Sequence, residues 1–132
     1  MESFPEQPDI HKQADQLLQK IGFVKYNILM KIAQAHQRYL GEIDSIEAVN
    51  YQNAENLRQR ILHSTDESHV VQYEKLLSIL ELQKADERLA CTEEYFNYIV
   101  KMRNRLEMDE PTFYLSINIV CDFMKLNRLD FS

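Results

Sequence analysis

Glycine and proline are scarce in this chain, with two Gly and three Pro among 132 residues. Tight turns and hairpins consume those residues, so a β-sandwich, a β-barrel and a glycine-rich phosphate-binding loop are excluded. Cysteine is equally sparse. Cys91 and Cys121 form no CxxC pair and no Asn-x-Ser/Thr sequon occurs, which points to a reducing intracellular compartment, cytoplasm or nucleus. No apolar run approaches the ~20 residues that a membrane span requires. The longest candidate, Phe113 to Leu126, is shorter and carries Asn118, Asp122 and Lys125. The opening segment MESFPEQPD has neither the basic region nor the apolar run of a signal peptide. A basic excess is also missing: 15 Lys plus Arg stand against 21 Asp plus Glu, a net charge of −6 that argues against a nucleic-acid-binding face.

What is present is a helical pattern. Apolar residues make up 45% of the chain and charged residues 27%, an ordinary globular balance. Residues 1–8 hold two prolines without periodicity and read as a flexible tail, leaving 9–132 as a single domain. Asp9 can cap a first helix. Behind it, Ile10, Ala14, Leu17, Ile21, Val24, Ile28, Ile32, Ala35 and Tyr39 recur at steps of three and four, which predicts one long amphipathic helix running through Gly22. Gly41 suits a helix end, and Asp44 with Glu47 resembles a capping box, so a kink or break is expected near Gly41. A second stripe, Ile46, Val49, Leu57 and Ile61, leads to the polar stretch from His63 to His69. There Ser64 and Glu67 again fit a capping box and predict a reversal.

The following helix, about 65–108, carries two stripes. One runs Tyr73, Leu77, Leu80, Cys91, Tyr95, Tyr98 and Met102, broken by Lys84 and Glu87. The other runs Ile79, Leu82, Ala85, Leu89, Phe96 and Ile99. An arc this wide predicts a central helix packed against two neighbours. Asp109-Glu110-Pro111 closes it and opens another, since Pro suits a first helical turn. The tail segment FYLSINIVCDFMKL fits both a helix and a strand period, and its helical surroundings favour helix. The expected fold is therefore all-α, an elongated, coiled-coil-like antiparallel bundle of three to four helices.

Chemistry-bearing constellations are few. His63 and His69 flank Asp66 and Glu67, but no cysteine is near and the polar residues serve as caps, so no metal is assigned. A di-iron bundle needs two Glu-x-x-His motifs, and only one Asp-x-x-His, Asp66 to His69, occurs. The segment AHQRYLG around His36 resembles the phosphoacceptor helix of histidine phosphotransfer bundles. Such bundles carry a small residue one turn after the histidine. Here Leu40 stands there with Tyr39 beside it, and no Lys lies at the usual spacing. Cys91 and Cys121 fall on apolar faces without a nearby histidine, so no nucleophile is assigned either.

The reading that follows is a non-enzymatic protein–protein interaction module without cofactor, an adaptor or scaffold subunit of a larger complex. Its alternatives are a phosphotransfer-type bundle and a pathogen effector that binds a host protein. Partner or self contacts would run through helix–helix packing. The candidates are Phe113, Tyr114, Ile117, Val120 and Met124 on the apolar tail, Tyr98 and Met102 on the preceding helix, and the basic pair Lys101 and Arg105 for an acidic partner.

Overall fold

The computed structural model describes residues 9–129, so the expected tail at 1–8 lies outside the described residues. The all-α expectation holds: four helices occur and no strand is present among the described residues. They are α1 (Ile10–Ile21), α2 (Phe23–His63), α3 (Glu67–Leu106) and α4 (Glu110–Met124).

Two boundaries expected from the sequence carry aspartate caps. Asp9 accepts from the backbone N–H groups of His11 and Lys12, and Asp109 accepts from Thr112 N–H with Pro111 in the first turn of α4. The reversal before α3 is capped differently. Asp66, not Ser64, accepts from Ser68 N–H at 2.9 Å, while Ser64 Oγ supports Asp66 N–H at 3.4 Å. Asp66 stands closer to the helix start, where a short carboxylate reaches the free N–H groups.

The long first helix is interrupted, and at the other glycine. Gly22 adopts φ 89° and ψ 164°, a conformation open to glycine, and its N–H caps α1 on the Leu18 carbonyl. The break allows α1 to pack on α4, burying Ala14 and Leu17. It also shifts the phase of the stripe: Val24 emerges into solvent, while Leu29 and Ala33 join Ile28, Ile32 and Ala35 inside. Gly41 is an ordinary helical residue, and α2 runs through it unbroken.

The chain divides into two compact units, residues 9–38 with 96–129, and residues 39–95. In the first, Leu29, Ile32, Leu106, Phe113, Ile117, Val120 and Cys121 are fully buried. The apolar tail segment is thus a helix whose inner face forms this core. Gln37 and Asn127 tie the end of the chain to α2 through two hydrogen bonds, Gln37 Nε2 donating to the Asn127 carbonyl at 2.9 Å and Asn127 Nδ2 to Gln37 Oε1 at 3.2 Å. Beyond the left-handed cap at Lys125, Arg128 grips Asp122 with two hydrogen bonds.

The second unit is an antiparallel helical hairpin made of the later part of α2 and the earlier part of α3. Tyr39 stacks on Tyr95 with ring centroids 4.3 Å apart, and its hydroxyl lies 3.0 Å from Thr92 Oγ1. Further along, Cys91 donates to Glu42, and Arg88 pairs with Glu47 at 2.9 Å. These pairs fix the register of the two arms of the hairpin.

Candidate protein-interaction surface

A two-helix hairpin has one seam. In the unit 39–95 that seam is built from Ile43, Ile46, Asn50, Ala54, Leu57 and Ile61 on α2 against Tyr73, Leu77, Leu80, Lys84 and Cys91 on α3. Apart from Ile43, Asn50 and Ala54, these seam positions stand in or beside the stripes read from the sequence. Asn53, which interrupted the α2 stripe, points to solvent, and Asn50 with Ala54 takes the seam instead. Asn50 satisfies its amide by donating to the Ile46 carbonyl at 2.7 Å. The seam is narrow and partly polar at its middle, where Lys84 stands among Asn50, Ala54 and Leu80.

The second stripe of α3 has no helix over it within this unit. Leu82 is 67% and Leu89 58% exposed, and Ile79 stands at 48%. The expected central helix with two packed neighbours is therefore corrected: over 67–95 α3 is apolar on two faces and covered on one. In the other unit Phe96 is exposed and Ile99 buried. Val49, placed in the α2 stripe by its spacing, is exposed as well, as are Tyr51, Leu62, Val71 and Leu76.

Beside the seam lies an open groove of about 370 Å³. It is floored by Leu57 and Leu80 and walled by Asn53, Asn56 and Arg60 on α2 and by Leu76, Ile79 and Gln83 on α3. Arg60 is the one charged side chain in that lining. The sequence pointed to Ile79 within a helix face, but gave no reason to single out Leu76 or the two asparagines. Only the hairpin register brings them to one groove.

The residues nominated from the sequence are distributed otherwise. Phe113, Ile117 and Val120 are fully buried and Met102 is buried, all inside the first unit. Tyr98, Tyr114 and Met124 are half-buried, and Lys101 and Arg105 are exposed. The basic residue that meets an aromatic surface is Arg103, whose guanidinium lies 4.8 Å from the Phe113 ring centroid and 5.9 Å from that of Tyr114. Leu115, on the outer side of α4, is 70% exposed beside a shallow groove between α1 and α4.

The histidine and the cysteines singled out in the sequence are enclosed to different degrees. His36 is 6% exposed, and burial holds its imidazole below the ordinary histidine value. A phosphoacceptor must be approached by a partner domain, so that resemblance fails on accessibility. Burial pushes the Cys91 thiol up to about 11, with its hydrogen bond to Glu42 adding to the shift. Burial likewise raises the fully enclosed Cys121 to about 11. Both thiols are protonated at neutral pH, the unreactive form. Among the described residues no group of three or more His, Cys, Asp or Glu side chains is placed to hold a metal ion, and none of the helices is long and apolar enough to cross a membrane. Comparison with protein-family models, with curated proteins and with solved structures found no match.

Proposed function

We propose that this chain is a non-enzymatic protein–protein interaction module, an adaptor or scaffold subunit that buries apolar helix faces of its 39–95 hairpin against other helices. The observation that carries this reading is the uncovered stripe of α3, with Leu82 and Leu89 well exposed on a regular helical face. A side chain of that size contributes about 1.5–3 kcal/mol when fully buried, so a partner helix laid along the stripe gains several such increments. Recognition of this kind reads residues spaced three, four and seven apart, the spacing of Leu82, Ala85 and Leu89. The buried positions of α4 serve the fold, so the binding surface assigned here lies on the hairpin.

The test is a double substitution, Leu82→Glu with Leu89→Glu. Both sites are exposed, so the thermal melt followed by circular dichroism should match that of the parent chain. Tagged parent and variant chains are recovered from the native cells and their co-purifying proteins compared. Loss of a stoichiometric companion from the variant supports the module. Identical companions for both chains, with equal melts, would overturn it.

A further inference from the structure

The uncovered face of α3 carries charge as well as apolar surface, and the charge sits inside the stripe. Asp86 follows Leu82 by four residues and precedes Leu89 by three, and Glu93 follows Leu89 by four. At 100° per residue these four positions fall within an arc of about 60°, so two carboxylates alternate with two leucines along one line. Both carboxylates are exposed, and neither enters an ion pair among the described residues. The seam residues Leu80, Lys84 and Cys91 lie about half a turn away around the helix, so α2 packs on the opposite side. Within 67–95 the one cation on the same line is Lys75, seven residues before Leu82.

A helix laid on Leu82 and Leu89 also covers Asp86, which stands between them. A carboxylate removed from water must be paired and hydrogen-bonded, or its desolvation offsets the burial of the leucines. The occupant therefore has to bring a cation to the level of Asp86. A second belongs at the level of Glu93, seven residues and about 10 Å further along. Arginine meets a carboxylate with two parallel hydrogen bonds and is weakly hydrated, which suits a partly covered site better than lysine. An acidic or neutral helix leaves both carboxylates unpaired. A second copy of this face offers Lys75 alone. An antiparallel pairing that sets Ile79 against Leu82 matches Lys75 to Asp86 and leaves Glu93 level with Ser68.

We infer that the uncovered stripe of α3 is a docking face for a basic amphipathic helix of another protein. That helix carries aliphatic residues at three- and four-residue steps and two basic residues, arginine by preference, seven apart on the same side. This rests on the reading of the hairpin as a protein-binding module and names the chemistry of its partner.

The probes are three labelled helical peptides with one leucine stripe in an alanine and glutamine background. They differ at two positions seven apart on the stripe, which hold arginine, glutamine or glutamate. Fluorescence anisotropy with the full chain should rank them in that order, with about tenfold between the first two. Asp86→Lys with Glu93→Lys should invert the order. Glu87→Lys with Glu94→Lys makes the same charge change at the same spacing, about 100° around the helix, and should keep it. All four positions are exposed, so circular-dichroism melts of both variants should match the parent. Equal affinities for the three peptides, or no binding of the arginine peptide at high micromolar concentration, would overturn the inference. An order inverted as fully by the Glu87 and Glu94 changes would do so too, since it would report net charge alone. The module reading fails separately. A chain that prefers the glutamine or glutamate peptide, while Leu82→Glu with Leu89→Glu still loses its companion, keeps the module and loses the basic partner. Unchanged companions in that variant remove the module whatever the ranking.

Discussion

The same substitution at the two glycines should change stability in opposite directions. Gly41 is a regular helical residue in the middle of α2, and a methyl group built there meets nothing within 4 Å. Alanine is favoured over glycine in a helix interior by about 0.8–1.0 kcal/mol, so Gly41→Ala should stabilise by about 1 kcal/mol. Gly22 also has open space around it, so crowding does not decide its case. Its backbone does: φ 89° with ψ 164° is a region essentially reserved for glycine, and holding alanine there costs about 1–3 kcal/mol. The chain could escape the strain by letting α1 run straight into α2. That would withdraw Leu17 and Ala14 from their packing beside α4, and re-exposing the leucine alone costs about 2 kcal/mol. Neither route is cheaper than about 1 kcal/mol, so Gly22→Ala should destabilise by about 1–3 kcal/mol, and the two variants should differ by about 2–4 kcal/mol. Urea unfolding followed at 222 nm, with the slope checked for constancy, measures both. A Gly22→Ala variant as stable as Gly41→Ala, or more so, would refute the assignment of the break to Gly22.

Two further measurements address the core and its titration. Phe113→Ala should destabilise by about 3–5 kcal/mol, since the ring is fully buried. Leu115→Ala, two residues away but 70% exposed, should stay within about 0.5 kcal/mol, and equal losses by urea unfolding would mean that α4 buries the wrong face. Acid should act in two steps. The folded His36 value lies below the unfolded one, so the unfolded chain binds the extra proton, and stability should fall as pH drops through about 6.5 and level off below the folded value. His36→Gln should flatten this first step. The second step belongs to Asp66, Asp109 and Asp122, held below the ordinary carboxylate range by side-chain hydrogen bonds from Ser68, Thr112 and Arg128 respectively. Their contribution is present above the unfolded carboxylate value and lost as pH falls through the folded ones, so it should persist in the His36 variant. A urea midpoint constant from pH 7.5 to 5.5 in the parent chain would exclude the His36 step.

How far the fold was legible depends on which interaction decided each element. Helix starts are local: Asp9 reaches N–H groups two and three residues away and was legible as a cap, and the start of α4 was legible from Pro111, with Asp109 as its cap shown by the structure. The seam face of α3 was legible for a related reason. Tyr73, Leu77, Leu80, Cys91 and Tyr95 keep a helical period, and the period survives Lys84 because its long stem can lie along the seam. Gly22 was not legible, because the apolar spacing continues smoothly across it. The local signal favours the wrong glycine, since Asp44, three residues after Gly41, resembles a helix cap. What separates the two glycines is the packing of α1 on α4, made between residues about a hundred positions apart.

The surface was hidden by the opposite ambiguity. A buried stripe and an uncovered one have the same period, and only the number of helices available to cover them tells them apart. Within the hairpin there is one partner helix for the two apolar faces of α3, so one face must stay open. The sequence predicted both as core because it showed enough helices to cover them, but not that α1 and α4 serve the other unit. An apolar face that remains after every helix of its own unit has been used is a statement about something outside that unit.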